Sequence, residues 1–66
     1  MTEPGVEVYF QDGDWRVGVP QGEDPISTHP NQDEAVEAGR AEAERRGLEL
    51  IVRDRQATIT ERDAPA

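Results

Sequence analysis

The sequence predicts an α+β fold: two β-hairpins form one antiparallel sheet, and a single helix packs on one face of it, in the order β-β-(β)-α-β-β. Three observations lead there. Apolar and polar residues alternate over residues 6–10, 15–19, 48–53 and 57–62, the period of a half-buried strand. An Asp12-Gly13 pair separates the first two runs, and both of its positions suit the positive φ of a two-residue hairpin turn. Between the second and third runs, residues 32–46 are bracketed by Asn31 and Gly47, a helix-start and a helix-stop residue.

Each element follows from its own residues. Val6, Val8 and Phe10 share one face of the first strand, with Glu7 and Tyr9 on the other; Trp15, Val17 and Val19 repeat the pattern against Arg16 and Gly18. A turn at Asp12-Gly13 pairs Phe10 with Trp15, Val8 with Val17 and Val6 with Val19, so turn chemistry and burial select the same register. Pro20 to Pro30 is a polar loop in which Ile26 to His29 is expected to add a short extended piece. Asn31 caps the helix, with Glu34 three residues on completing a capping box, and Gly47 ends it in the left-handed conformation. Ala35, Val36, Gly39 and Ala43 form the buried stripe; Gly39 in mid-helix suggests close approach to a bulky ring such as Trp15. Leu48, Leu50 and Val52 alternate with Glu49, Ile51 and Arg53. After Asp54-Arg55-Gln56, Ala57, Ile59 and Glu61 alternate with Thr58, Thr60 and Arg62. Residues 1–5 and 64–66 are expected to be tails around a domain over 6–63, with fraying from Asp63.

Composition narrows the function. Fifteen acidic residues stand against seven basic ones, all arginine, for a net charge of −8. Residues 1–31 carry −5 of it, 32–47 carry −2 and 48–66 carry −1. A charge of this sign repels phosphate backbones and anionic membranes at long range, although the near-neutral C-terminal hairpin leaves room for a local cationic face. With no cysteine there is neither a disulfide framework nor a thiolate zinc site. The acidic N-terminus lacks a signal-peptide pattern, and no apolar run reaches the roughly 20 residues of a membrane span, so a cytoplasmic protein is expected. So small a domain buries a modest share of its surface, which makes a homodimer or a covering partner a reasonable expectation.

Catalytic and metal chemistry find little support. Asp12-Gly13-Asp14 lacks the further oxygen ligands of a calcium loop and reads as a turn. His29 is the only histidine, with no second imidazole to share a metal. Ser27 and His29, two residues apart in a proline loop, are not expected to hold a nucleophile and base in place. The scattered glycines form no phosphate loop. We therefore expect no enzyme activity and no cofactor. The acidic and basic residues on the outer face of the helix read as a salt-bridged solvent face, with Glu42 and Arg46 at the favoured i,i+4 spacing.

One constellation stands out. Tyr9, Arg16, Ile51, Arg53, Thr58, Thr60 and Arg62 are expected to point away from the helix. An aromatic ring, arginines and an exposed isoleucine suit a protein interface, and Tyr9, Arg16, Ile51, Arg53 and Arg62 are the candidate partner-binding residues. The same face would suit nucleic acid through Arg16, Arg53 and Arg62, but Glu7, Glu49 and Glu61 nearby would neutralise it. The expected function is an interaction module that binds a protein partner or itself through this face or an edge strand, with nucleic-acid binding as the alternative.

From Trp15-Arg16-Val17, through Asn31-Gln32-Asp33-Glu34-Ala35-Val36 and Arg45-Arg46-Gly47, to Leu48-Glu49-Leu50-Ile51-Val52 and Ile59-Thr60-Glu61-Arg62-Asp63, the sequence resembles the short bacterial family of unknown function numbered 2188. The resemblance covers roughly residues 6 to 63. It implies the same fold in a bacterial protein without assigned activity, and it brings no catalytic residues. Members usually carry a glycine just before the isoleucine strand, where this chain reads Arg55-Gln56-Ala57, and a small-aromatic-glycine tail in place of Ala64-Pro65-Ala66. A looser likeness, over about half the chain, is to small antitoxins of the HicB type, which implies an antitoxin-like inhibitor as a second alternative.

Overall fold

The computed structural model describes residues 5–19 and 25–64. The expectations for residues 1–4, for Pro20 to Asp24 of the loop and for Pro65 and Ala66 lie outside the described residues. Six elements follow in order: β1 (Gly5–Gln11), β2 (Asp14–Gly18), β3 (Ser27–His29), α1 (Gln32–Arg46), β4 (Glu49–Arg53) and β5 (Ile59–Asp63). The α+β architecture is the expected one. Gly5, expected in the tail, is the first residue of β1, opposite Glu49, and Asp63 closes β5 opposite Leu50.

The first hairpin has the expected register, with Phe10 opposite Trp15 and Val8 opposite Val17. Asp12 (φ 52°) and Gly13 (φ 84°) both sit in the left-handed region that the two-residue turn requires. β3 adds antiparallel to β2, and β5 adds antiparallel to β4. The two hairpins, however, join in parallel: the strand order is β3-β2-β1-β4-β5, with Val6 opposite Leu50 and Val8 opposite Val52 in a parallel pair. The sheet is therefore mixed, not wholly antiparallel. The reason is the helix. Two antiparallel steps make β3 run with β1; α1 then carries the chain back across the sheet, so β4 starts at the same end as β3 and β1.

Local chemistry sets both ends of α1. The Asn31 side chain accepts a hydrogen bond from the Glu34 backbone N–H at 2.9 Å. Gly47 (φ 69°) closes the other end, and the Leu48 N–H reaches the Ala43 carbonyl at 2.9 Å. The buried stripe is Ala35, Gly39 and Ala43, with Val36 half-buried beside it. Gly39 meets different neighbours from those expected. A Cβ built on it would lie 2.7 Å from Val8 Cγ2 and 3.2 Å from Leu50 Cδ1, so the helix rests on the aliphatic centre of the sheet and not on Trp15. Trp15 instead packs against Phe10, with ring centroids 5.1 Å apart.

The second hairpin departs furthest from simple alternation. A bulge between Val52 and Arg53 places Arg53 opposite Ile59, while Val52 stays opposite Glu61 and Ile51 opposite Arg62. Upstream of the bulge the faces invert: Ile59 shares the face of Arg53, away from the helix, and Thr60 lines the groove beside Val36 and Arg40. Asp54 organises the turn by accepting the N–H groups of Gln56 (2.8 Å) and Thr58 (3.0 Å) on one carboxylate oxygen. Ala57 stands at φ 67°, a left-handed position where a methyl side chain is strained.

Candidate functional site

The sheet face away from α1 is built by register. Direct pairing aligns Thr28 with Arg16 and Arg16 with Tyr9, and the bulge aligns Arg53 with Ile59. Since β1 and β4 run in parallel with Val8 beside Val52, the next residues, Tyr9 and Arg53, continue the row. One line of side chains, Thr28, Arg16, Tyr9, Arg53 and Ile59, thus crosses all five strands. A second row runs Gly18, Glu7, Ile51 and Arg62. The Tyr9 ring lies against Gly18, where an added Cβ would stand 3.5 Å from both Cε1 and the hydroxyl. A shallow concavity of about 440 Å³ opens beside it, lined by Glu7, Tyr9, Phe10, Gln11, Val19, Arg53 and Ala57.

Four of the five candidate residues, Tyr9, Arg16, Arg53 and Arg62, lie on this face with some exposure. Ile51 does not present itself as expected. It is 8% exposed, set in β4 between Glu7 of β1 and Arg62 of β5, with its Cδ1 toward Gly5. Long charged side chains on both neighbouring strands cover it with their stems. Ile59, at 37% exposure, is the apolar side chain the face does present, and sequence alternation missed it because the bulge inverts its direction. Thr58 is exposed in the turn and Thr60 belongs to the groove under α1.

Charge on the face is largely paired. Arg53 donates from Nε to Glu7 at 2.8 Å and from Nη1 to the Ala57 carbonyl at 2.9 Å. Arg62 donates to Glu49 at 2.8 Å. Glu61, expected near this face, points to the helix side, as its alternation with Thr60 and Arg62 implies, and takes Arg40 of the helix at 2.9 Å, while Asp63 takes the same guanidinium at 2.8 Å. The bonds to Glu61 and Asp63 raise the Arg40 pKa above its ordinary value. They also tie β5 to a helix that packs on β1 to β4 and leaves β5 beyond its cover.

Both sheet edges are blunted against strand pairing. β3 has three residues, Ser27–His29, between Pro25 and Pro30. β5 is exposed throughout but carries Glu61, Arg62 and Asp63 in five residues.

On the helix surface, Glu42 receives Arg46 at 2.9 Å and Arg45 at 2.7 Å, and these bonds hold its carboxyl below the ordinary carboxylate value. Ser27 and His29, two residues apart and not expected to hold a nucleophile and base in place, share a hydrogen bond of 2.8 Å because β3 is a strand and places i and i+2 on one side. Among the described residues no carboxylate bonds that ring, and no group of three or more His, Asp or Glu is placed to hold a metal ion. No described helix is long and apolar enough to cross a membrane.

Comparison with known proteins adds one finding. The profile of a family described as an uncharacterized protein conserved in bacteria (DUF2188) matches residues 6–64, nearly the whole chain. No curated protein and no solved structure matches.

Proposed function

The chain belongs to the DUF2188 family of bacterial proteins, and from that premise we propose that it is a small non-enzymatic interaction module, acting in the cytoplasm, that binds a protein partner through the open face of its sheet. The observation that carries this reading is the row Thr28, Arg16, Tyr9, Arg53 and Ile59, which no described element covers. Tyrosine, arginine and an exposed isoleucine on a rigid sheet offer contact area at little entropic cost. The edges are the weaker surface, since shortness and charge oppose strand addition. Nucleic acid is the weaker ligand: Arg53 and Arg62 are occupied by Glu7 and Glu49, and a phosphate backbone would have to displace both in a field of −8.

Selection from a random display library of short peptides on the immobilised protein tests the reading. Peptides that bind saturably, weaken about tenfold or more on a Tyr9→Ala/Ile59→Ser variant, and keep their affinity for a Glu37→Ala/Glu44→Ala variant support it. An absence of saturable binders, or binders lost on the helix variant alone, overturns it. Circular dichroism confirms that each variant folds. Light scattering over a concentration series reports separately whether the partner is a second copy.

A further inference from the structure

The seven arginines are not equally satisfied. Arg40, Arg45, Arg46, Arg53 and Arg62 each hold a carboxylate oxygen at 2.7–2.9 Å. Arg55 lies over the Phe10 ring at 5.1 Å. Arg16 is different. Among the described residues its nearest carboxylate, Asp12, is at 4.0 Å, and its one side-chain hydrogen bond, to Gln11, is at 3.5 Å, both at the outer limit of a useful contact. Yet the side chain is only 24% exposed, and its Nε is buried with no hydrogen-bond partner among the described residues. A guanidinium whose Nε is shut off from water and whose remaining nitrogens, still partly exposed, have no close acceptor is left poorly satisfied, and a carboxylate that meets its exposed nitrogens supplies the missing acceptor. Asp12, in the hairpin turn with its side chain 80% exposed, stays at 4.0 Å.

We propose that Arg16 is the anchor for a single carboxylate on the partner, a glutamate or aspartate side chain within a peptide whose neighbouring residues are apolar or neutral. The inference rests on the open-face reading and names the chemistry of its partner. Thr28 and Tyr9 stand directly opposite Arg16 on β3 and β1 and flank it within the row. Along the same row, Tyr9 and the exposed Ile59 offer apolar surface to the residues next to the carboxylate. A polyanion fits less well. Asp12, Asp14 and Glu7 surround the position and repel each added charge, whereas one carboxylate exchanges that repulsion for a bidentate pair.

The test is a titration of the intact protein, read by NMR at the Arg16 Nε–Hε group and the Tyr9 ring, with acetyl-glutamate amide, inorganic phosphate and a short single-stranded oligonucleotide as separate probes. Saturable shifts with the glutamate amide that weaken about tenfold or more in Arg16→Gln, and are not restored by Arg16→Lys, support the proposal. Shifts that stay linear, that persist in Arg16→Gln, or that are stronger with phosphate or oligonucleotide overturn it. Library peptides separate the two readings: binders that map to the open face but tolerate Glu→Gln substitution and Arg16→Gln leave the face intact and remove the carboxylate anchor.

Discussion

Replacing Gly39 by alanine tests the packing on which the whole layout depends. In an exposed helix interior, Gly→Ala stabilises by about 1 kcal/mol, because glycine has more backbone freedom to lose. At Gly39 the new methyl would stand 2.7 Å from Val8 Cγ2 and 3.2 Å from Leu50 Cδ1. Neither neighbour has room to yield, since Val8 is 0% and Leu50 2% exposed. Overpacking of this kind costs about 1–3 kcal/mol, so the two effects leave a net destabilisation of up to about 2 kcal/mol. Urea unfolding followed by Trp15 fluorescence reads it, because Trp15 is buried in the same core. Ala41→Gly, on the exposed side of α1, is the control and should cost about 1 kcal/mol by propensity alone. If Gly39→Ala were instead more stable than the parent by about 1 kcal/mol, propensity would have won, and the close approach of α1 to β1 and β4 would be refuted.

Three further outcomes follow from local chemistry. Ala57→Gly should raise stability by about 0.5–1 kcal/mol, because relief of the strained left-handed alanine exceeds the entropy that glycine adds to the unfolded chain; an unchanged or lower midpoint in urea would count against the φ of 67°. Asn31→Ala should lower stability by about 1 kcal/mol through loss of the bond to the Glu34 N–H, measured by thermal melting. Glu42 titrates below its ordinary value of 4.5 in the folded protein, so its contribution is complete above that pH and is lost as pH falls through the lowered folded value. The gap in stability between the parent and Glu42→Gln should therefore be widest above pH 4.5, close on acidification, and narrow in high salt; a gap independent of pH would show that Arg45 and Arg46 do not hold the carboxylate.

Much of this architecture is legible in the sequence because it is set by contacts close along the chain. Asp12-Gly13 determines the first register, and Asn31 and Gly47 bound the helix to the residue. The short β3 is signalled only by Ile26 to His29, of which Ser27–His29 form the strand. What escapes the sequence depends on distant partners. The parallel junction of β1 and β4 follows from the direction in which α1 recrosses the sheet, which alternation within a strand does not encode. The burial of Ile51 comes from Glu7, 44 positions away in sequence, and from Arg62, both brought beside it by strand order. One bulge exchanges Ile59 and Thr60 between faces, since alternation counts residues and a bulge inserts one. At Arg55-Gln56-Ala57, where the resemblance leads one to expect a glycine, Ala57 stands at φ 67° and carries the strain of that position.

The claim that the open sheet face is the interaction surface meets its most direct test in chemical-shift mapping of a library-selected peptide on the intact protein. The account predicts that saturating peptide shifts Tyr9, Arg16, Thr28, Arg53 and Ile59, across five strands, while Glu37, Ala41 and Glu44 on the outer side of α1 stay in place. Shifts concentrated on those helix residues, with the sheet row unmoved, would contradict it.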